Sequence, residues 1–302
     1  MSEITRAWAE YKGQEYNATY NSGTQEWSVD IPAGAESSYG QANHTYPITL
    51  HAVDAAGNEK VMQSTDETYG DQLNIRVLEK TKPTATIVSP TQGSVLGSAT
   101  QDIAMELQDA GGSGLNMASV VFKLNNKQIT SGLSWQDASG KKTCTYRATN
   151  LSDGSNSISL QVTDNDGNVS NTAEVTFVIS TAAPTLNLTS PADNLLTNSN
   201  KVTVAGTAKP GSGAVTLSKV TVNGVEVNVG TDGKFSHEVT LTEGENTITT
   251  VAEDSIGKTT TVIRHVTLDT QAPIISDVEA EATTVDANST IHLTFRVTDP
   301  AD

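Results

Sequence analysis

Thr163-Asp164-Asn165-Asp166-Gly167-Asn168 and the neighbouring Asp153 put several oxygen ligands near one domain end. Carboxylate and amide oxygens at that density are what Ca²⁺ takes, about six to eight of them. The run nevertheless lacks the alternating acidic ladder and the later Glu of an EF-hand-like loop. The comparable runs Asp54-Ala55-Ala56-Gly57 and Asp254-Ser255-Ile256-Gly257 hold one carboxylate each. Asp, Asn and Gly also tolerate left-handed dihedrals and bond their own backbone. The better reading is hairpin-turn chemistry, and no metal ligand is assigned.

Other reactive residue types are isolated. His44, His51, His237, His265 and His292 show no HxH or HExxH spacing, so neither a metal nor acid–base work has a constellation to rest on. Cys144 in KKTCTYRA sits in an alternating strand pattern without a Gly-rich or His neighbour, the signature of a buried structural thiol. Paired carboxylates for glycoside hydrolysis need a cleft, and sandwiches without long insertions offer little concavity. GxSxG and phosphate-loop motifs are absent. The expected protein is not an enzyme, with no catalytic residue and no cofactor. Trp8, Tyr11, Tyr16, Tyr20 and Trp27 cluster near the start and could form a glycan or protein platform, but alternation turns Trp8 and Trp27 inward, and core packing is preferred.

The elements that would carry these residues are short strands. Ile158, Leu160 and Val162, then Ala173, Val175, Phe177 and Ile179, alternate with polar residues on either side of the acidic run. That period of two marks a hairpin with one buried face. The first of these strands repeats in register: Ile158, Leu160, Val162 and Asp164 align with Ile48, Leu50, Ala52 and Asp54, and with Ile248, Thr250, Ala252 and Asp254. The lead-in Leu151, Asp153, Gly154 and Asn156 matches Leu241, Glu243, Gly244 and Asn246. A second hairpin recurs as Tyr11-Lys12-Gly13-Gln14, Leu124-Asn125-Asn126-Lys127 and Val222-Asn223-Gly224-Val225, the last a strong Asn-Gly signal. Phe235 and Trp27 align as the large core residue of the strand that follows it.

Pro83, Pro184 and Pro273 punctuate the chain at spacings of 101 and 89 residues, the size of a seven-stranded sandwich. Proline lacks an N–H and suits the first residue of an edge strand. The expected organisation is a rod of tandem immunoglobulin-like β-sandwiches: residues 1–82 an incomplete repeat lacking strands A and B, 83–183 and 184–272 complete domains, and 273–302 the start of a truncated fourth. The open edge of the first repeat is a template for strand addition. The final stretch would be completed by further chain or by another segment.

Composition agrees. Thr, Val, Ser and Asn with 23 Gly and 9 Pro favour strands and turns in an all-β protein. A formal net charge of −17 repels a phosphate backbone, so nucleic acid is not expected as a partner. One cysteine allows no intrachain disulfide. Apolar burial, roughly 1.5–3 kcal/mol per large aliphatic side chain, must hold each domain. MSEITRAWAEYKGQEY lacks the basic and apolar regions of a signal peptide, and no stretch approaches a membrane span.

These hairpins and proline seams resemble bacterial and phage immunoglobulin-like tandem repeats, and SPADNLLTNSNKVTVAGTAKPGSG with VTVNGVEV is similar to the glucodextranase B-type Ig-like module. The opening MSEIT, WSVDIPAGAESSYGQANHTYPITLHAVDAAGN and LEKTKPTATIVSP resemble Ig-like proteins encoded among tail genes of phages and prophages of gut Firmicutes. That resemblance implies a non-enzymatic virion protein of the tail, tail tip or fibre, made in the bacterial host cytoplasm. It would dock by its N-terminal repeat on other tail proteins or neighbouring copies, in a homo-oligomeric assembly, with host surface glycans as a further contact. The alternative is a bacterial cell-surface adhesin or the Ig-like accessory region of a secreted carbohydrate-active enzyme.

Overall fold

The structure, a computed structural model, describes residues 3–300. Among these, regular structure is strand apart from two short 3-10 turns, Ala42–His44 and Gly70–Leu73. No helix is long and apolar enough to cross a membrane. The chain divides into two compact units, residues 1–94 with 100–177 and residues 95–99 with 178–302.

In the first unit, the opening sheet runs Gln14–Asn17, Ile4–Tyr11, Tyr46–Asp54, Glu59–Met62, with Asn74–Ile75 also on Tyr46–Asp54. Alternation sends Ala9 and Tyr11 inward, where Tyr11, Tyr46 and Val77 form a small core with Tyr16, Ile31, Ile48 and Ile75. Facing elements are few. Thr19–Asn21 pairs Glu26–Ser28 in a two-stranded ribbon that joins no larger sheet.

The second repeat has two full sheets. One runs Gln136–Ala138, Lys141–Ala148, Gln101–Gln108, Thr84–Ser89. The other runs Lys127–Gln128, Leu115–Leu124, Gly154–Asp164, Ala173–Ile179. Ile103, Met105 and Leu107 are buried from the first sheet, Phe122, Ile158, Leu160, Val162 and Phe177 from the second. Ala173–Ile179 runs on into the second unit, where Val178 and Ile179 pair in parallel with Val95 and Leu96.

The second unit repeats the plan. Thr185–Ser190, Lys201–Lys209 and Lys234–Thr240 form one sheet; Leu195–Thr197, Thr259–Leu268, Gly244–Asp254, Leu217–Val222 and Val225–Val227 form the other. Val202, Val204, Phe235, Val220, Val222, Ile248, Ala252 and Val266 share its core. Each of Pro83, Pro184 and Pro273 stands directly before an outer strand, namely Thr84–Ser89, Thr185–Ser190 and Ile274–Ala280. A missing N–H costs no ladder bond there. Ile274–Ala280 pairs Leu293–Thr298 alone.

The three middle turns share one backbone shape. Lys12 and Gly13, Asn125 and Asn126, and Asn223 and Gly224 all have positive φ, the conformation of a two-residue turn whose twist matches its strands.

Candidate functional site

The acidic run behaves first as a turn. Asp164 Oδ1 accepts the N–H groups of Asp166 at 3.0 Å and Asn168 at 2.8 Å. Asp54 does the same for Ala56 and Asn58, and Asp254 for Ile256 and Lys258. Hairpin chemistry therefore accounts for the first aspartate of each run. Asp153 stands at the opposite end of the strand Gly154–Asp164 from Asp164, so the two do not share a site.

What the sequence reading missed is the company Asp164 keeps. Oxygens of Glu79, Asp109 and Asp164 all lie within 4.8 Å of one another. Glu79 is 4% exposed and Asp164 1%. Two unit charges 4.8 Å apart repel by about 3–4 kcal/mol at an effective dielectric near 20, so three bare carboxylates need a proton or a cation.

Each carboxylate is positioned by a separate element. Glu79 follows the buried Val77 and leads into the Pro83 seam. Its Oε2 accepts the Thr81 N–H, its Oε1 accepts the Ser113 hydroxyl at 3.3 Å, and its own N–H donates to Asp166 Oδ2 at 3.0 Å. Asp109 lies just past the end of Gln101–Gln108 and accepts the N–H groups of Gly111, Gly112 and Gly114. Gly111 is a close approach: a Cβ there would run into the Glu79 carboxylate. Asn168 Nδ2 bridges the group, donating to Glu79 O at 3.0 Å, Glu79 Oε1 at 3.1 Å and Asp164 Oδ2 at 2.9 Å.

Burial pushes the Asp164 carboxyl upward. Hydrogen bonds from the Asn168 side chain and backbone, from Glu79 and from the Asp166 N–H outweigh it, leaving the group below the usual carboxylate range. Asp166 Oδ1 is buried and has no hydrogen-bond partner. None of the four acids forms an ion pair among the described residues. Glu79, Asp109 and Asp164 are the residues that could hold a metal, and Asp166 lies beside them through its bond from the Glu79 N–H. The available signal was an acid just before the Pro83 seam together with an Asp-x-Gly-Gly turn, but sequence alone could not pair residues so far apart.

The remaining candidates stay dispersed. His51 Nδ1 meets Glu59 at 2.7 Å, His265 Nδ1 meets Asp193 at 3.3 Å, and His44 bonds the Tyr39 carbonyl. Cys144 is 4% exposed, and burial pushes its thiol up against a smaller opposing pull from the Ser134 backbone. A hollow of about 800 Å³ is lined by Glu226 and Asp232 among others. Asp232 is tied to the Lys234 N–H and ammonium in its own turn, as a turn acid rather than a free acid–base group.

The inward reading fails for Trp8, and Trp27 is only partly covered. Ala9 and Tyr11 take the inner face, so Trp8 lies on the outer one, stacked on His51 at 4.7 Å with the Arg6 guanidinium 4.2 Å from its ring centre. Trp27 is 37% exposed and rests on Tyr20 in the ribbon, whereas its counterpart Phe235 is 4% exposed. The difference is the missing sheet: Phe235 lies in a core shared by two full sheets, whereas the ribbon of Trp27 joins none. An apolar groove of about 350 Å³ results, lined by Ala7, Leu50, Ala52, Met62, Trp27 and Val29 among others.

Residues 184–270 match the family described as glucodextranase, domain B, and residues 83–160 match the bacterial Ig domain family. Bacillopeptidase F of Bacillus subtilis (strain 168) is 26% identical over 153 residues, which is 50% of this chain and 10% of that protein. The chain thus spans about a tenth of the length of that curated relative. Among solved structures, the Clostridium thermocellum CbhA fibronectin(III)-like modules align at 19% identity and TM-score 0.37, over 62% of this chain and 94% of theirs. Titin domains A168-A170 align at 9% identity and TM-score 0.40, over 86% of each chain. The chain is an all-β tandem of immunoglobulin-like sandwiches, a module type that is typically non-catalytic, with bacterial Ig and glucodextranase B matches over its middle portion.

Proposed function

We propose that this chain is a non-enzymatic assembly protein, a phage tail, tail-tip or fibre component that docks through its first repeat and presents the domains that follow. The observation that carries the docking part is the incompletely covered inner face of the opening sheet. Ala7, Leu50, Ala52 and Met62 line a groove that no second sheet closes. Beside it, Glu26–Ser28 pairs Thr19–Asn21 on one side only, whereas the central strand Tyr46–Asp54 is paired on both sides. A strand from another tail protein or a neighbouring copy would satisfy that edge and cover the groove. Surface glycans are a further contact in this reading, with Tyr20 and Trp27 as the exposed aromatic pair.

The test is to purify virus-like particles from the source bacterium after prophage induction and locate the chain by mass spectrometry and immunogold labelling. Enrichment on tails supports the reading, and exclusion from particles overturns it. In hydrogen exchange, amides of Glu26–Ser28 should be fast in the isolated monomer and slow in the assembly.

A second reading is favoured by the Bacillopeptidase F match and the glucodextranase domain B match. In it the chain is the Ig-like accessory region of a secreted enzyme or a surface adhesin. Recovery in culture supernatant or on the cell wall without induction decides for it.

A further inference from the structure

We infer that Glu79, Asp109 and Asp164, with Asp166 beside them, form a Ca²⁺ site in the first unit, fastening the segment before Pro83 to the end loops of the second repeat. The inference is independent of where the chain assembles. Three carboxylates offer oxygens within 4.8 Å of one another, two of those residues being almost wholly buried. That spacing suits oxygens gathered around one hard cation, each about 2.3–2.6 Å from it.

A proton shared between Glu79 and Asp164 would relieve part of the repulsion. It would leave Asp166 Oδ1, buried and without a donor, unsatisfied, although Asp166 lies against Glu79 through the 3.0 Å bond from the Glu79 N–H. A divalent ion answers for the fourth carboxylate as well as the first three. Oxygen-only ligands supplied by loops favour Ca²⁺ over Mg²⁺, which demands stricter octahedral geometry and gives up water reluctantly.

The chain contains its own comparison. Thr84 pairs Gln108 as Thr185 pairs Lys209, so Pro210 occupies the place of Asp109 and Ser212 that of Gly111. Ser180 stands before Pro184 as Glu79 stands before Pro83. Ser180 Oγ bonds Ser212 Oγ at 2.8 Å, where Gly111 leaves room for the Glu79 carboxylate. Asp254 keeps the turn of Asp164, but its Oδ2 has no partner, whereas Asp164 Oδ2 accepts Asn168 Nδ2. It has neither of the other two carboxylates. The turn is common to the repeats, and the acid cluster is particular to the first seam.

The experiment is calorimetric titration of the EGTA-stripped full chain with CaCl₂ at neutral pH and moderate salt, with melting followed in parallel. A single Ca²⁺ should bind, and saturation should raise the melting temperature of the first unit by about 5 °C. Asp109→Asn and Glu79→Gln should each weaken binding by about tenfold or more. Asp166→Asn, at a less buried position, serves if either fails to fold. Asp254→Asn should leave Ca²⁺ binding unchanged. The assignment is overturned by absence of binding heat and melting shift, by an equal response to MgCl₂, or by unchanged affinity in the cluster variants.

Discussion

Asp54, Asp164 and Asp254 make the same pair of backbone bonds, so the first aspartate of each acidic run is a structural residue. This much is legible in sequence, because an Asx turn needs only neighbours. Asn156 and Asn246 are legible for the same reason, each donating to two carbonyls just upstream. The Asp164 carboxyl is held below its usual range in the folded state. Its stabilising contribution is then present above the unfolded value, about 3.9, and lost as pH falls through the folded one. Urea midpoints measured between about pH 5 and pH 2.5 should fall more steeply for the native chain than for Asp164→Asn. Parallel slopes would remove Asp164 from the acid transition. Cys144 offers a second check at this scale. Burial and a raised thiol keep the thiolate scarce, so alkylation by iodoacetamide should be at least about tenfold slower in buffer than in denaturant.

At the scale of elements, strand existence follows from alternation and turn type from Asn and Gly, which is why the sandwich hairpins can be read directly. Residue orientation in the first repeat could not be. Trp27 aligns with Phe235, yet one is 37% exposed and the other is core. A strand's inner face is buried only if a second sheet covers it, and the local sequence does not record whether one does. The same limit hid the acid cluster: Glu79 and Asp166 are 87 residues apart, and only the packing of two repeats brings them together. Turn chemistry, being local, yields a sharper prediction. Asn126 and Gly224 occupy equivalent positions with φ of 63° and 81°. Glycine adopts that region without a Cβ penalty. Asn126→Gly should raise unfolding stability by about 0.5–1 kcal/mol and Gly224→Val should lower it by about 1–2 kcal/mol, read as shifts in the urea midpoint at constant m. Equal midpoints in both variants would show that strand packing, not the turn, sets the hairpin's stability.

For the molecule as a whole, two complete sandwiches bury their apolar faces, and two other sets of strands do not. The groove beside Trp27 is one. The hairpin Ile274–Ala280 with Leu293–Thr298 is the other, with Ile274, Ile275, Val278, Leu293, Phe295 and Val297 all exposed. A lone two-stranded hairpin is marginal in water, and contiguous exposed aliphatic and aromatic side chains mark surfaces meant to be covered. Covering them would stabilise the chain, since each large aliphatic side chain removed from water contributes roughly 1.5–3 kcal/mol. Sedimentation velocity should therefore show concentration-dependent association of the 302-residue chain. Phe295→Asp with Val297→Asp should abolish it while leaving the melting of both sandwiches in place, because neither residue belongs to their cores. If the double variant associates as the native chain does, the hairpin is not the contact. Trp27→Asp, placed on the groove, then asks whether the other open face is.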